Sequence, residues 1–385
     1  MNSDIAIVGA GPAGSTAAEV AAAAGVEVVL IDRKAEIGSP VQCGGFLPEA
    51  RELEALMPGA RLPETLSKLP ERCILHRTRL QRMFAPSGAW KELAVDGRVV
   101  DRRAFDRYLA LRAARAGAKV LPATRALISQ STLILSGRFR GSVMPRVIIG
   151  ADGSHSCTAR SIGSKQREQG ICMEYEMADV KIDPSAAEMY FGVRYAPGGY
   201  AWIIPMGSDQ ANVGVGVRPS YMGGAKLPQV LDKFVREHPV AGPKLKNGEV
   251  LAVMRGSVPS GGMPDSIQKG NVLLAGDAAG QVMATSGGGI PLAMVAGKIA
   301  GEVAAGFIKG QTTLDNYRLR VNTEFGTELG QSVQIKRMVE VVMRSDRLMD
   351  ALIGALEPDQ IKSIMRGQIP SALSALHDLL AKARS

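Results

Sequence analysis

Aromatic residues make up only 4% of this 385-residue chain, which also holds just four histidines and four cysteines. With so few stacking side chains, no basic run that interleaves them and no zinc-finger spacing, nucleic acid is not expected as a partner. Cys43, Cys73, Cys157 and Cys172 are widely scattered, lack the paired spacing of a zinc or iron–sulfur site, and read as free thiols. His76, His155, His238 and His377 are equally dispersed, so no metal site is expected. No basic leader or cleavage signal precedes the apolar segment at 5–8, which predicts a cytoplasmic protein. The longest uncharged run, 278–297, has the length of a membrane span but carries five glycines and a proline, and reads instead as a cofactor loop.

A 46% hydrophobic content excludes a disordered chain, and the length predicts two or three lobes with a substantial core. Lysine and arginine number 46 against 37 acidic residues, a net charge of +9. That excess suits a phosphate-bearing ligand or an anionic surface, and equally a surface kept soluble by charge.

Residues 4–8 read as a buried strand, and 13–24 as an alanine-rich helix. Between them lies Gly9-Ala10-Gly11-Pro12-Ala13-Gly14. In this strand-turn-helix setting Gly9 permits the tight turn, Gly11 lets the backbone approach a pyrophosphate, and Gly14 lets helix and strand pack closely. The helix start offers free amides to the same anion. A second apolar strand, 26–31, ends at Asp32, eighteen residues beyond Gly14, where a carboxylate can meet ribose hydroxyls. Dinucleotide binding follows, without a choice between NAD and FAD.

Two later segments repeat the pattern. The strand 147–151 runs into Asp152 and, eight residues on, Arg160; the strand 271–275 runs into Gly276-Asp277 and then Gly287-Gly288-Gly289-Ile290. Three acid-bearing strand ends far apart in sequence predict one long cofactor threaded across a sheet edge. Gly214-Val215-Gly216 opens no helix, so a second, NAD(P)H-dedicated domain is not expected.

Over roughly residues 3–310 the sequence resembles the geranylgeranyl reductase family, within the FAD fold shared with the aromatic hydroxylases. The resemblance rests on GAGPAGSTAA from Gly9, IGSPVQCGG from Ile37, VDRRAFDRYL from Val100, GADGSHSCTAR from Gly150, PGGYAWIIP from Pro197, and GDAAG with SGGGI from Gly276. It implies FAD contacts at Ala13, Asp32, Cys43, Gly44, Arg102, Ala126, Asp277, Gly289 and Ile290. Arg102 can neutralise diphosphate or simply pair with Asp106. Cys43 is the candidate near-flavin residue for the proton step or for positioning the ring; its other reading is a small buried apolar side chain. Tyr200, Trp202 and Pro205 are implied to bind an apolar substrate chain. The sequence departs from the family where Cys43 is followed by Gly44, Gly45 and Phe46 rather than by a Glu, and where Met283-Ala284 precedes the last glycine run.

The expected architecture is α/β, a Rossmann-type FAD-binding domain with an inserted antiparallel-sheet substrate domain and a helical C-terminal region. The FAD domain takes 1–70, 99–170 and 255–320; the substrate domain 71–98 and 171–254; the helical region 321–385. In that last region Ile335, Met338, Val342, Leu348, Met349, Leu352 and Ile353 form an apolar stripe, with Lys336, Arg337, Arg344 and Arg347 elsewhere. Such a stripe packs on its own domain, or forms a lid or anionic-membrane contact at the substrate mouth. The leading functional expectation is saturation of C=C bonds in geranylgeranyl chains of archaeal-type diether phospholipids, with electrons from NAD(P)H or ferredoxin. A flavin carrier passing electrons to quinone or a protein acceptor, and an aromatic hydroxylase, are the alternatives.

Overall fold

The computed structural model describes residues 3–370. His377 and the end of the expected helical region, 371–385, lie outside the described residues.

Ile5–Val8 is apolar at every position because it is covered on both faces, and it pairs in parallel with Val28–Ile31 and with Val147–Gly150. The six-stranded sheet runs in the order Gln268–Lys269, Val272–Leu274, Val147–Gly150, Ile5–Val8, Val28–Ile31, Lys119–Leu121, with only the first edge strand antiparallel. All three acid-bearing strand ends therefore emerge along one edge of one sheet. A three-stranded sheet, Thr124–Ser129, Thr132–Gly137 and Gly141–Val143, adds to this lobe and was not expected from the sequence.

Two helices of small residues pack tightly on the sheet. A Cβ on Gly297 would fall 2.2 Å from the Ala13 carbonyl oxygen and one on Gly301 2.6 Å from that of Ala17, so Pro12–Ala23 and Ile290–Ile308 touch backbone to backbone. The second helix is apolar and long enough to cross a membrane, but 72% of its most apolar window is buried inside the fold. The uncharged run 278–297 thus divides into a turn, a loop and the start of this core helix.

The second sheet has eight strands in the order Glu249–Pro259, Gln169–Ala178, Ala211–Val217, Tyr200–Pro205, Ala186–Tyr190, Ile74–Phe84, Trp90–Val100, Phe46–Pro48. Its pairs are antiparallel except for Ala186–Tyr190 against Ile74–Phe84, where the two inserted segments meet. Phe46–Pro48 joins this sheet from within the stretch assigned to the nucleotide lobe, and the last strand runs past 254 to Pro259. Alternation divides the faces. Met173, Tyr175, Ile203, Val213 and Val215 pack beneath the helix Leu227–Glu237, while Cys172, Glu174, Tyr200, Trp202 and Gly216 face a cavity.

The C-terminal apolar stripe is not one helix. It divides between Thr327–Val342 and Asp346–Ala355, the second begun by Ser345, whose side chain accepts from the Leu348 amide, and Pro358–Met365 follows. Lys336, expected on the charged face, is buried and donates to Glu168 Oε2 at 2.7 Å and to the Ser260 carbonyl at 2.9 Å.

Candidate active site

A single cavity of about 1430 Å³ runs from the first βα turn, between the two sheets, to the underside of the C-terminal helices. It is lined by Gly9, Gly11, Ala13, Asp32, Cys43, Gly44, Arg102, Ala126, Asp152, Asp277, Gly289, Ile290, Tyr200 and Trp202. Two expected site residues stay off its wall. Gly14 packs against the turn, where a Cβ would lie 1.8 Å from the Gly9 carbonyl oxygen. Pro205, expected to bind substrate, is instead buried at the end of its strand opposite Ala211, because the side-chain alternation that turns Tyr200 and Trp202 inward turns position 205 away.

At the nucleotide end Gly9 has φ +103°, and a Cβ there would sit 2.2 Å from the Ala151 carbonyl oxygen. A Cβ on Gly11 would meet nothing within 4 Å, which leaves an open cradle at the helix start. Asp32 is anchored by amides, accepting from Ala10 N and Lys34 N at 2.7 Å each. The Asp152 carboxylate is engaged locally, accepting from the Ser156 hydroxyl and from Cys157 N at 2.7 Å and Thr158 N at 3.1 Å. Arg160 turns away from it to the His155 carbonyl and the Cys157 sulfur. Arg102 does pair with Asp106, through two bonds of 3.1 and 3.0 Å, and still borders the cavity with its charge felt by Asp277. Burial pushes the Asp277 carboxyl up to about 6, against the opposing pull of Arg102.

The middle of the cavity holds residues that sequence reasoning passed over. Trp202 Nε1 donates to Asn212 Oδ1 at 2.7 Å, and Asn212 Nδ2 donates to Glu174 Oε2 at 3.0 Å. The indole crosses the neighbouring strand where Gly214 and Gly216 stand: a Cβ on Gly214 would be 2.3 Å from Trp202 Cζ2. Two glycines inside a strand mark a close approach of this kind, and that was the available signal. Gly44 meets the same cluster, since its Cβ would lie 2.8 Å from Asn212 Oδ1. Cys43 Sγ accepts from the Gly45 amide at 3.5 Å. The Cys172 thiol is pushed up to about 12 by burial and then by Glu174 and Cys43. All four cysteines are free, and among the described residues no His, Cys, Asp and Glu group could hold a metal ion. The Tyr200 hydroxyl donates to the Ser286 carbonyl, fastening the substrate sheet to the last glycine run.

Beyond Tyr200 the walls are apolar. Met83, Leu93, Val95, Met189 and Phe191 from the sheet face Val339, Met343, Met349, Leu352, Ile353 and Ile361 from the C-terminal helices. Unbranched methionines on both sides suit a flexible hydrocarbon guest. The far end is bordered by Glu52, Lys362 and Arg366, with Arg366 Nη2 2.5 Å and Lys362 Nζ 3.5 Å from the Glu52 carboxylate.

Comparison with known proteins agrees with this geometry. Residues 168–258 match the geranylgeranyl reductase catalytic domain, and residues 1–52 match the Thi4 family. The digeranylgeranylglycerophospholipid reductase 2 of Methanopyrus kandleri is 34% identical, covering 96% of this chain and 94% of that protein. The digeranylgeranylglycerophospholipid reductase of Methanocaldococcus jannaschii is 35% identical, covering 98% of each. Among solved structures, a geranylgeranyl bacteriochlorophyll reductase-like protein from Thermoplasma acidophilum superposes with a TM-score of 0.85 at 27% identity, covering 98% of this chain and 99% of that one. A flavin-dependent brominase shares the fold, at a TM-score of 0.73 and 16% identity over 100% of this chain and 99% of its own.

Proposed function

This chain belongs to the geranylgeranyl reductase family of FAD-dependent oxidoreductases, and from that premise we propose that it binds FAD and saturates C=C bonds in geranylgeranyl chains of diether phospholipids. The observation that carries the reading is the continuity of the cavity, which leads from an open glycine cradle past a polar cluster into a hydrocarbon-lined pocket.

The residues present fit the cofactor. Gly11 leaves the space a pyrophosphate needs, the helix start Pro12–Ala23 supplies amides, Asp32 stands at the second strand end, and Arg102 adds positive charge. When bound and reduced, FAD supplies the hydride equivalent for alkene reduction. The chain's own tasks are to seat an apolar chain, exclude water and deliver a proton. An isolated alkene offers no carbonyl to polarise, so the apolar walls and a placed acid matter more than an oxyanion hole. Cys43 and Gly44 stand where the polar cluster meets the nucleotide end, which supports Cys43 as a residue that positions the reacting ring. We propose further that electrons come from NAD(P)H or ferredoxin and that the protein works in the cytoplasm, its net charge of +9 suiting peripheral contact with an anionic membrane that holds the lipid substrate.

The test is lipid mass spectrometry after incubating dithionite-reduced protein with unsaturated diether lipid. The expected result is a gain of two hydrogens per reduced bond. Met189→Trp, which fills the apolar end, is expected to abolish that gain while flavin content is retained. Reduced protein that leaves the alkenes untouched but reduces a quinone would make the chain an electron carrier instead.

A further inference from the structure

Among the described residues the fully buried carboxylates are held by a cation or by backbone amides, with one exception; the half-buried Asp277 also lacks an ion pair. Glu188 holds Lys244 at 2.7 Å, Glu52 holds Arg366 at 2.5 Å, Glu324 holds Arg320 at 2.7 Å, and Asp106 holds Arg102 at 3.0 Å. Asp32 is held by two backbone amides. Glu174 is 2% exposed and lines the cavity, yet no cation lies within ion-pairing distance of it among the described residues. Its one hydrogen bond is to Asn212, and it engages Oε2 alone. A buried ionised carboxylate without a partner is costly, so such a group keeps its proton.

The orientation of the cluster is fixed by chemistry. An indole nitrogen can only donate, so Asn212 must turn its oxygen to Trp202 and its amide hydrogens to Glu174. The carboxyl is thereby pinned through one oxygen, and the other is left to carry the proton. Glu174 shares its strand face with Cys172 and sits in register with Gly214, so no side chain from that neighbouring position covers it. On the other flank its register partner is the uncharged Met254.

We propose that Glu174, protonated, is the acid that delivers a proton to the alkene. This rests on the reductase reading above. The step balances: the reduced flavin supplies a hydride equivalent to one alkene carbon, the π pair forms the C–H bond at the other carbon with the carboxyl proton, and the O–H bond breaks to leave a carboxylate. Water then returns a proton to Glu174, so each turnover takes its proton from solvent through this residue.

The electrostatics agree. Burial, outweighing the hydrogen bond from Asn212 and the charge of Arg102, raises the Glu174 carboxyl to about 7. Besides Arg102, the charged or titrating groups that interact with it are Cys172 on its own strand and Tyr200 across the sheet. The Cys172 thiol, at about 12, is a far weaker acid.

Glu174→Gln preserves the shape and the bond to Asn212, and Glu174→Asp keeps an acid on a shorter stem. In flavin-loaded protein the Gln variant should still be reduced by dithionite at the wild-type rate but lose about 100-fold or more in alkene saturation, the usual contribution of a general acid. The Asp variant should recover part of that loss. Wild-type saturation should fall as pH rises through about 7, where the proton leaves, and the Gln residual should be flat with pH. Independently of activity, infrared difference spectra should show a protonated carboxyl band that disappears with that same midpoint and is absent from Glu174→Gln. A Gln variant that matches an active wild type, or a carboxyl band that titrates in the ordinary acidic range, overturns the assignment. A wild type that saturates no alkene overturns the reductase reading, and the acid role with it.

Discussion

Gly9 and Gly11 stand two residues apart in one turn and are glycine for different reasons. Gly9 needs its left-handed backbone, and Ala151 leaves no room for a Cβ; Gly11 has ordinary backbone angles and empty space beside it. Gly9→Ala is therefore expected to destabilise the fold by more than about 2 kcal/mol, combining strain with a backbone clash. Gly11→Val should leave the unfolding midpoint of flavin-free protein nearly unchanged while sharply reducing flavin content. Urea unfolding and the visible flavin spectrum separate the two outcomes. If Gly11→Val retained full flavin, the cradle would be misassigned.

The helix Leu227–Glu237 covers the back of the substrate sheet with Val230, Leu231, Phe234 and Val235, and it ends at His238. That ring is 3% exposed and packs against Tyr190 and Phe234 with centroids at 5.0 and 5.3 Å. Its Nδ1 accepts from Val240 N and Ala241 N at 3.2 and 3.1 Å, which only the neutral ring can do. Burial, then Lys244, holds its pKa down to about 4 from the ordinary 6.5. The unfolded chain takes up the proton first, so this stabilisation is complete above pH 6.5 and is lost as pH falls towards 4. The loss should reach at most about 3 kcal/mol, measured as the difference in urea stability between pH 7 and pH 4. His238→Asn keeps an acceptor for the turn and should flatten that dependence. An unchanged slope would place the acid sensitivity elsewhere.

The whole molecule is closed around its cavity by contacts between remote parts of the chain. Arg366 and Glu52 are 314 residues apart in sequence, and with Lys362 they hold the helix Pro358–Met365 against the nucleotide side. The pair is partly shielded, with side-chain exposures of 24% and 7%, so its loss should be felt. Arg366→Ala is expected to speed amide hydrogen exchange in the Asp346–Ala355 and Pro358–Met365 helices about tenfold, roughly 1.4 kcal/mol, while the parallel sheet is unaffected. Uniform acceleration across the protein would mean that the clasp supports global stability rather than the roof of the cavity.

The sequence by itself determined the nucleotide lobe, because its signals are local: a glycine turn, an apolar strand and a terminal acid lie within one βαβ unit, and the family motifs repeat that grammar at Asp152 and Asp277. It also placed Tyr200 and Trp202 on one face, since alternation along a strand needs no neighbour. Only the tertiary structure decided the rest. It turned Asp152 to a local cap, gave Arg102 to Asp106, moved Pro205 off the cavity wall, divided the C-terminal stripe between two helices and buried Lys336 of the first against Glu168 and Ser260. Glu174, Asn212 and Trp202 come from three strands, and what sets Glu174 apart among the fully buried carboxylates of the described residues is that neither a cation nor a backbone amide holds it. Whether a buried carboxyl has a partner depends on every element packed around it, and no stretch of sequence carries that information.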